Sequence, residues 1–352
     1  CIRDSVEMKT STPWAFATLL DRAKAKDFEV TTYWETVPGK GRAKITRAVD
    51  DLVYVLGQYA EQPAFFKVGG KPVVFVYGRV MNQVKMTEWP EIITLARERY
   101  GKDFLLVADG YQEGYARLFD ALHVYNICGA LDEKPIGFIR DYARETFPAA
   151  VRLAKSQGKV AGITIIPGYD DRKIRTPGIN APRHGGHSYR ALWEEAIAAD
   201  PDWVVITSWN EWHEGSEIEP SLEYGARYLR LTAAATRRSR TSPRVQSPVE
   251  VVGMSSQQRA ELAELYQDKR IGLLPGYGGD LALLLADCGV PVVELTIEDV
   301  LDPEVLNPIR LPILIYAAHE RYIQTVHEPG DVDRALQRYL TEGGLMVVAP
   351  HG

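Results

Sequence analysis

Apolar, β-rich runs alternate along the chain with stretches whose apolar positions fall three and four apart. The runs are Phe28 to Trp34, Pro72 to Tyr77, Phe104 to Ala108, Ala121 to Asn126, Val160 to Ile166 and Trp203 to Ser208. Between them Ile45 to Ala60, Trp89 to Tyr100, Ile139 to Ser156 and Tyr189 to Ala199 carry the helical period, and a further helix is predicted around Tyr224 to Arg237. Short apolar strands separated by amphipathic helices are the pattern of βα units repeated around a parallel sheet. The expected fold class is therefore α/β, a (β/α)8 TIM barrel. Closure of such a barrel needs eight parallel strands, and the six runs leave it two short. Because the chain opens in what reads as a helix, Pro13 to Lys26, the first two strands are expected upstream of Cys1. An open doubly wound sheet accommodates the same pattern and stays as the alternative.

The period stops after Arg237. RRSRTSPRVQSPV mixes arginine, serine and proline without apolar spacing, which predicts an exposed linker over 238–250 between a barrel domain, 1–237, and a second domain, 251–352. In the second domain the pattern restarts. Helices are expected at Ser256 to Tyr266 and Asp280 to Cys288, and strands at Ile271 to Leu274, Val292 to Leu295, Ile313 to Tyr316 and Leu345 to Val348. That makes a smaller α/β domain, cut short at its end.

Composition narrows the partners. The net charge is -6, with lysine and arginine scattered among acids, so the basic stripe that tracks a phosphate backbone is missing and nucleic acid is not an expected partner. No apolar run is long enough to span a bilayer. Cys1, Cys128 and Cys288 lie far apart and form no CxxC pair, which indicates neither a disulfide framework nor a zinc knuckle. The compartment, whether periplasmic, extracellular or other, is left open, as is the oligomeric state.

Candidate chemistry concentrates in TSWNEWHEGSEIEPS, Thr207 to Ser221, just past the C-terminal end of the last predicted barrel strand. Barrel enzymes build their sites at that end. Cleaving a glycosidic bond needs a proton for a poor leaving oxygen and a second carboxylate as nucleophile, base or charge stabiliser; Glu211 and Glu214 can supply both. Their spacing makes a demand. In an extended strand, residues three apart point to opposite faces about 10 Å apart, whereas in a helical turn they share a face at roughly 5 to 6 Å. The chain must therefore leave the strand near Asn210 and turn before Gly215. Two carboxylates about 5 Å apart repel by roughly 3 kcal/mol at an effective dielectric near 20, enough to separate their titrations by about two pH units, so that one keeps its proton as the acid. Asn210 can orient a carboxylate or hold a sugar hydroxyl, and Trp209, Trp212 and His213 can desolvate or stack on a ring. The bland alternative is a solvated acidic loop, with Glu217 and Glu219, flanked by packing tryptophans.

WNEWHEGSEIE at Trp209 to Glu219, PGYDDRKIR at Pro167 to Arg175 and GKPVVFVYG at Gly70 to Gly78 resemble glycoside hydrolase family 99, the endo-α-mannosidase and endomannanase family. The resemblance covers roughly Pro13 to Arg237. It implies a barrel, a glycan or polysaccharide substrate, no metal and no cofactor. It also implies that Glu211 deprotonates the sugar 2-hydroxyl, whose oxygen attacks C1 to give a 1,2-anhydro sugar, while Glu214 protonates the leaving group and later activates water, with net retention. Glu35 in YWE matches an acidic residue of the family's glycan cleft, and Tyr125 in HVYN a tyrosine near the reacting sugar. Asp171 and Arg175 match the acid and arginine after PGY, with a surface ion pair as the plain alternative. Tyr77 falls where the family places sugar-binding aromatics, but Gly78 and Arg79 follow it in place of a DSY-like continuation. That departure leaves the exact substrate unassigned.

Other motifs point less far. His184 and His187 in HGGHS lack a third ligand nearby in sequence and fit a glycine loop better than a metal pair. The second domain resembles the flavodoxin-like domains related to glutamine amidotransferases, through IGLLPGYGGD and GGLMVVAPHG. Amidotransferase chemistry needs a cysteine on a sharp strand-to-helix turn, and Cys288 sits instead in ADCGVP at a predicted helix end. Gly276 to Gly279 lack the GK[ST] ending of a phosphate loop. A non-catalytic accessory or interface domain is expected. Two rivals to the hydrolase remain at this level: a polysaccharide glycosyltransferase-like enzyme, and a carbohydrate-binding protein with a dead site.

Overall fold

The computed structural model describes residues 13–241, 257, 260, 264, 270–274, 282, 285, 290–316 and 327–348. In chain order the elements begin with α1 (Pro13–Lys24), β1 (Tyr33–Trp34), α2 (Gly41–Tyr59), β2 (Lys67–Val68), β3 (Lys71–Val76), α3 (Gly78–Gln83) and α4 (Trp89–Tyr100). Next come β4 (Leu105–Asp109), α5 (Glu113–Leu118), β5 (Ala121–His123), α6 (Ile136–Ser156), β6 (Val160–Ile165), β7 (Tyr169–Asp170) and β8 (Asn180–Ala181). Then follow α7 (His187–Ala199), β9 (Trp203–Ile206), α8 (Arg227–Thr241), β10 (Ile271–Leu273), β11 (Val292–Glu294), α9 (Ile297–Leu301), β12 (Ile313–Tyr316), α10 (Asp331–Thr341) and β13 (Leu345–Val348). Each strand predicted above overlaps one of these strands. The first is shorter than expected: Phe28 is 66% exposed, and the ladder starts only at Tyr33 after a single bridge between Val30 and Phe65. The predicted linker falls largely on 242–250 and the predicted helices at 256–266 and 280–288 largely on positions outside the described residues.

Among the described residues the chain forms two compact units, one of 107–111 with 119–241, the other of 13–106, 112–118 and the described residues from 257 onward. In the first unit β4, β5, β6 and β9 run parallel in that order. Their residues are apolar on both faces because helices cover them. α6 buries Ile139, Ala143, Phe147, Ala150, Val151 and Ala154, a stripe at intervals of three and four, and α7 buries Tyr189, Leu192, Trp193 and Ala196. Each large side chain so buried contributes about 1.5–3 kcal/mol. β6 approaches β5 closely at Gly162, where a Cβ would lie 3.0 Å from the Leu122 carbonyl oxygen. The parallel strands end together at Asp109, His123, Ile165 and Ile206, and the polar loops begin there.

In the second unit β1 pairs parallel with β3, and β2 and β3 make a hairpin over Gly69 and Gly70, both at positive φ. α2 and α4 bury Leu52, Leu56, Ile92 and Ala96. The same unit holds a four-stranded parallel sheet, β11-β10-β12-β13. Its core gathers Leu295, Val300, Leu314, Val332 and Tyr339, with the Tyr339 hydroxyl donating to Leu311 O at 2.8 Å. Lys85 pairs with Asp299 at 3.3 Å, and the Met86 N–H donates to the Glu294 carboxylate. Burial pushes the Glu294 carboxyl above its ordinary range, against the opposing pull of the Met86 and Thr87 hydrogen bonds. A carboxyl raised on folding stabilises most below its unfolded pKa, and that contribution is lost as pH rises through the raised value. Glu294→Gln is therefore expected to flatten the fall in stability of this unit from acidic toward neutral pH, measured as urea midpoints across that range. No described helix is long and apolar enough to cross a membrane.

Candidate active site

The polar turn forms where β9 stops. Ser208 organises it: its N–H donates to Ser216 O at 2.8 Å, its carbonyl accepts the Ile218 N–H at 2.9 Å, and its hydroxyl accepts the Glu211 N–H at 2.9 Å. The Ser208 and Ser216 hydroxyls lie 2.9 Å apart. Inside this closed loop Glu211 precedes a single 3-10 turn, Trp212–Glu214, which Gly215 ends in the left-handed region at φ 58. A Cβ at Gly215 would meet the Asp170 backbone at 3.1 and 3.2 Å; both the φ and the packing therefore call for glycine. The turn demanded by the spacing of Glu211 and Glu214 is present, with one glutamate at each end.

The two carboxylates sit in different surroundings. Glu211 is half-buried, whereas Glu214 is only 5% exposed. Arg175 Nη2 donates to Glu214 Oε1 at 3.1 Å, and Glu214 Oε2 is buried without a partner among the described residues. Arg175 belongs to a tight group on the segment between β7 and β8. Its Nη1 donates to the Tyr169 hydroxyl at 2.6 Å and to Asp171 Oδ2 at 2.5 Å. Tyr169 in turn donates to Asp171 Oδ2 at 3.0 Å, and the Ile179 N–H donates to Oδ1 at 2.7 Å. Asp171 is 2% exposed. Burial acts to raise its carboxyl, but the hydrogen bonds from Arg175, Ile179 and Tyr169 outweigh it and hold the group below the ordinary aspartate value. Burial, with the Glu214 charge nearby, pushes the Tyr169 phenol far up and keeps it a proton donor. Burial acts to lower the Arg175 guanidinium, and its bonds to Asp171 and Glu214 carry it upward instead, so it stays a cation. The pair of Asp171 and Arg175, a surface contact in the plain alternative, is thus anchored on a buried acid and reaches Glu214.

Trp209 and Trp212 are each 47% exposed, and the Trp212 Nε1–H donates to Glu219 at 2.9 Å. Asn210 and His213 are exposed on the same turn. Tyr125 follows β5; its N–H donates to Asp109 at 2.7 Å, and its carbonyl accepts the Thr207 hydroxyl, which ties the β5 loop to the turn after β9. The other two predicted residues belong to the second unit. Glu35 follows β1 and is buried. Tyr77 follows β3; its N–H donates to Trp34 O at 2.9 Å, its ring meets Tyr33 edge-on at 5.6 Å, and the Arg79 guanidinium stands over it at 5.9 Å. The His184 ring contacts Lys134 O at 3.0 Å, and no group of three His, Cys, Asp or Glu that could hold a metal exists among the described residues. Sequence reasoning passed over Tyr169 and Arg183, and it mentioned Glu217 only in the alternative of a solvated acidic loop. Glu217 is in fact buried against Arg183 at 3.0 Å. Only the PGYDD run around Tyr169 held a signal that could have been followed.

Parallel βα units that end in a rim of acids, an arginine and exposed indoles define the class of barrel carbohydrate-processing proteins. The chain belongs to glycosyl hydrolase family 99, whose model matches residues 6–231, the family that the NEWHEG run resembles. It is 25% identical over 214 residues to a human glycoprotein endo-alpha-1,2-mannosidase-like protein, covering 56% of this chain and 45% of that protein. To a rat glycoprotein endo-alpha-1,2-mannosidase it is 22% identical over 234 residues, covering 62% and 48%. The chain thus spans about half the length of these curated relatives. Among solved structures it is similar to the family 99 endo-alpha-mannosidase of Bacteroides thetaiotaomicron, at TM-score 0.53 and 22% identity over 66% of this chain and 73% of that one. That likeness shows the fold, an α/β partial barrel.

Proposed function

We propose that this chain is a retaining, endo-acting glycoside hydrolase for an α-mannoside or a closely related glycan, working through Glu211 and Glu214. The observation that carries the reading is the carboxyl of Glu214: it is buried, held on one oxygen by Arg175 and unpartnered on the other, one turn away from Glu211. In the first step Glu211 takes the proton of the sugar 2-hydroxyl, O2 attacks C1, the C1–O bond to the leaving sugar breaks, and Glu214 delivers its proton to the departing oxygen. Arg175 then lies beside the oxygen that bears the new negative charge. In the second step Glu214 takes a proton from water, the water oxygen attacks C1, the C1–O2 bond of the anhydro sugar breaks, and O2 recovers its proton from Glu211. Inversion twice at C1 gives retention.

Trp209 and Trp212 offer exposed ring faces on the same turn, and Tyr125, Asn210 and His213 supply polar groups; Glu35 and Tyr77 are assigned to the glycan cleft on the strength of the family resemblance. The catalytic unit is of the (β/α) barrel type, with the parallel strands β4, β5, β6 and β9 as its described part. The second sheet, whose strands taken in chain order stand 2-1-3-4, is the core of a flavodoxin-like accessory domain, since that order is the flavodoxin one.

Proton NMR of the first sugar released from an α-mannan by the full chain tests the reading. An α-configured product is expected at early times, before mutarotation. A β-configured first product would overturn the retaining mechanism, and no release from α-mannans would overturn the substrate assignment.

A further inference from the structure

Glu214 is held at its side chain by Arg175, and the backbone that follows it is held by a different group. Arg183 leaves the chain just after β8, and its stem crosses Gly168, where any Cβ would lie 2.2 Å from Arg183 Cγ. Its Nη2 then donates to Gly215 O at 2.9 Å and to Glu217 O at 3.0 Å, and it pairs with Glu217 Oε2 at 3.0 Å. The guanidinium packs against both Tyr224 and Tyr228, whose rings meet edge to face 5.4 Å apart, with Cζ 4.4 and 4.5 Å from the two ring centroids. Nη1 is buried without a partner among the described residues, so every hydrogen bond the head group makes goes to the segment after Glu214. A planar cation packed against two aromatic rings has little freedom, and one that bridges two carbonyls two residues apart sets the path of the chain between them. From the other side Asp170 abuts Gly215.

We infer that Arg183 is a positioning residue for Glu214, with Glu217 as its buried counter-charge. The assignment rests on Glu214 being the acid of the proposed reaction. A catalytic carboxyl works only when its support keeps it within a fraction of an ångström of its place, and a displacement of about 1 Å costs on the order of 100-fold in rate. Glu217 therefore belongs to the support of the acid rather than to a solvated acidic face.

Removing Arg183 alone strands a buried carboxylate and risks the fold. The informative variant is the double one, R183M/E217L, in which both charges leave together, a change that is often neutral for stability. Amide hydrogen exchange and steady-state turnover are measured on the full chain. With the thermal midpoint close to wild type, the amides of Ser216, Ile218 and Glu219 are expected to exchange about tenfold faster than wild type, the rest of the unit staying unchanged. Turnover should fall about 100-fold in kcat with KM little altered. R183K restores the charge beside Glu217 but not the flat bridging head group, and should recover stability with only part of kcat.

Wild-type exchange at those amides and wild-type kcat in the double variant would overturn the inference, and so would faster exchange spread evenly over the unit. If the wild-type chain releases nothing from any glycan, the hydrolase reading fails by itself, and the exchange pattern still decides whether Arg183 holds the turn.

Discussion

Glu214→Gln is expected to lower kcat on a glycan with a sugar leaving group by about 10²- to 10⁴-fold, the usual contribution of a positioned general acid. The amide keeps the shape of the carboxyl and an oxygen that can still accept the Arg175 bond seen at 3.1 Å, so the thermal midpoint should stay close to wild type. What is lost is the proton. A substrate whose leaving group departs as a stable phenolate needs no proton, and on an aryl α-mannoside Glu214→Gln should regain most of its first-step rate. Glu211→Gln should not, because a poor base at the 2-hydroxyl slows attack on C1 whatever leaves. Comparing kcat/KM for both variants on both substrates checks the division of labour. Equal losses on the two substrates would remove Glu214 from the acid role, and wild-type turnover by either variant would remove that residue from the mechanism.

Asp171→Ala should destabilise the first unit by about 2–3 kcal/mol. Breaking a buried ion pair by removing one partner costs about 3–5 kcal/mol, and the figure is reduced here because the Arg175 side chain is 48% exposed and regains water. Two further donors, Ile179 N–H at 2.7 Å and Tyr169 OH at 3.0 Å, lose their acceptor at the same time. The buried phenol suffers most, since it cannot turn to solvent. Urea denaturation of wild type and variant measures the difference. The pH dependence has a definite sign. Because the Asp171 carboxyl is held below its ordinary value, its contribution is present above the unfolded pKa near 3.9 and is lost as pH falls through the folded value. The variant should show less acid sensitivity than wild type, together with a reduced kcat, since Arg175 loses one of its anchors beside Glu214. A stability change under about 0.5 kcal/mol would mean that Arg175 is oriented without Asp171.

Much of the fold was readable from periodicity, and the failures have local causes. α6 and α4 fall where spacing three and four places them, because helices of 21 and 12 residues give the period enough turns to repeat. α3 and α5, at six residues each, are too short for that. α10 went unpredicted although Val332, Ala335 and Tyr339 line one face, since its single apolar stripe is set in charged residues. β7 and β8 contribute two residues apiece, below any pattern, yet the segment between them carries Asp171 and Arg175.

The alternation of the longer strands and helices, the family, and the pair of glutamates on a tight turn were determined by the sequence alone. Each depends on neighbours close along the chain: apolar spacing, a glycine four positions after an Asn-Glu pair, a six-residue motif. The fates of individual charges were decided only in three dimensions. Glu214, Glu217 and Asp171 stand among other acids in the chain and would all pass for surface groups. Glu214 and Glu217 are buried because Arg175 and Arg183 arrive from segments 30 to 40 positions away, and Asp171 because Arg175, Tyr169 and the Ile179 N–H close around it; the cost of burying a charge depends on which group meets it, a matter that spacing along a chain does not record.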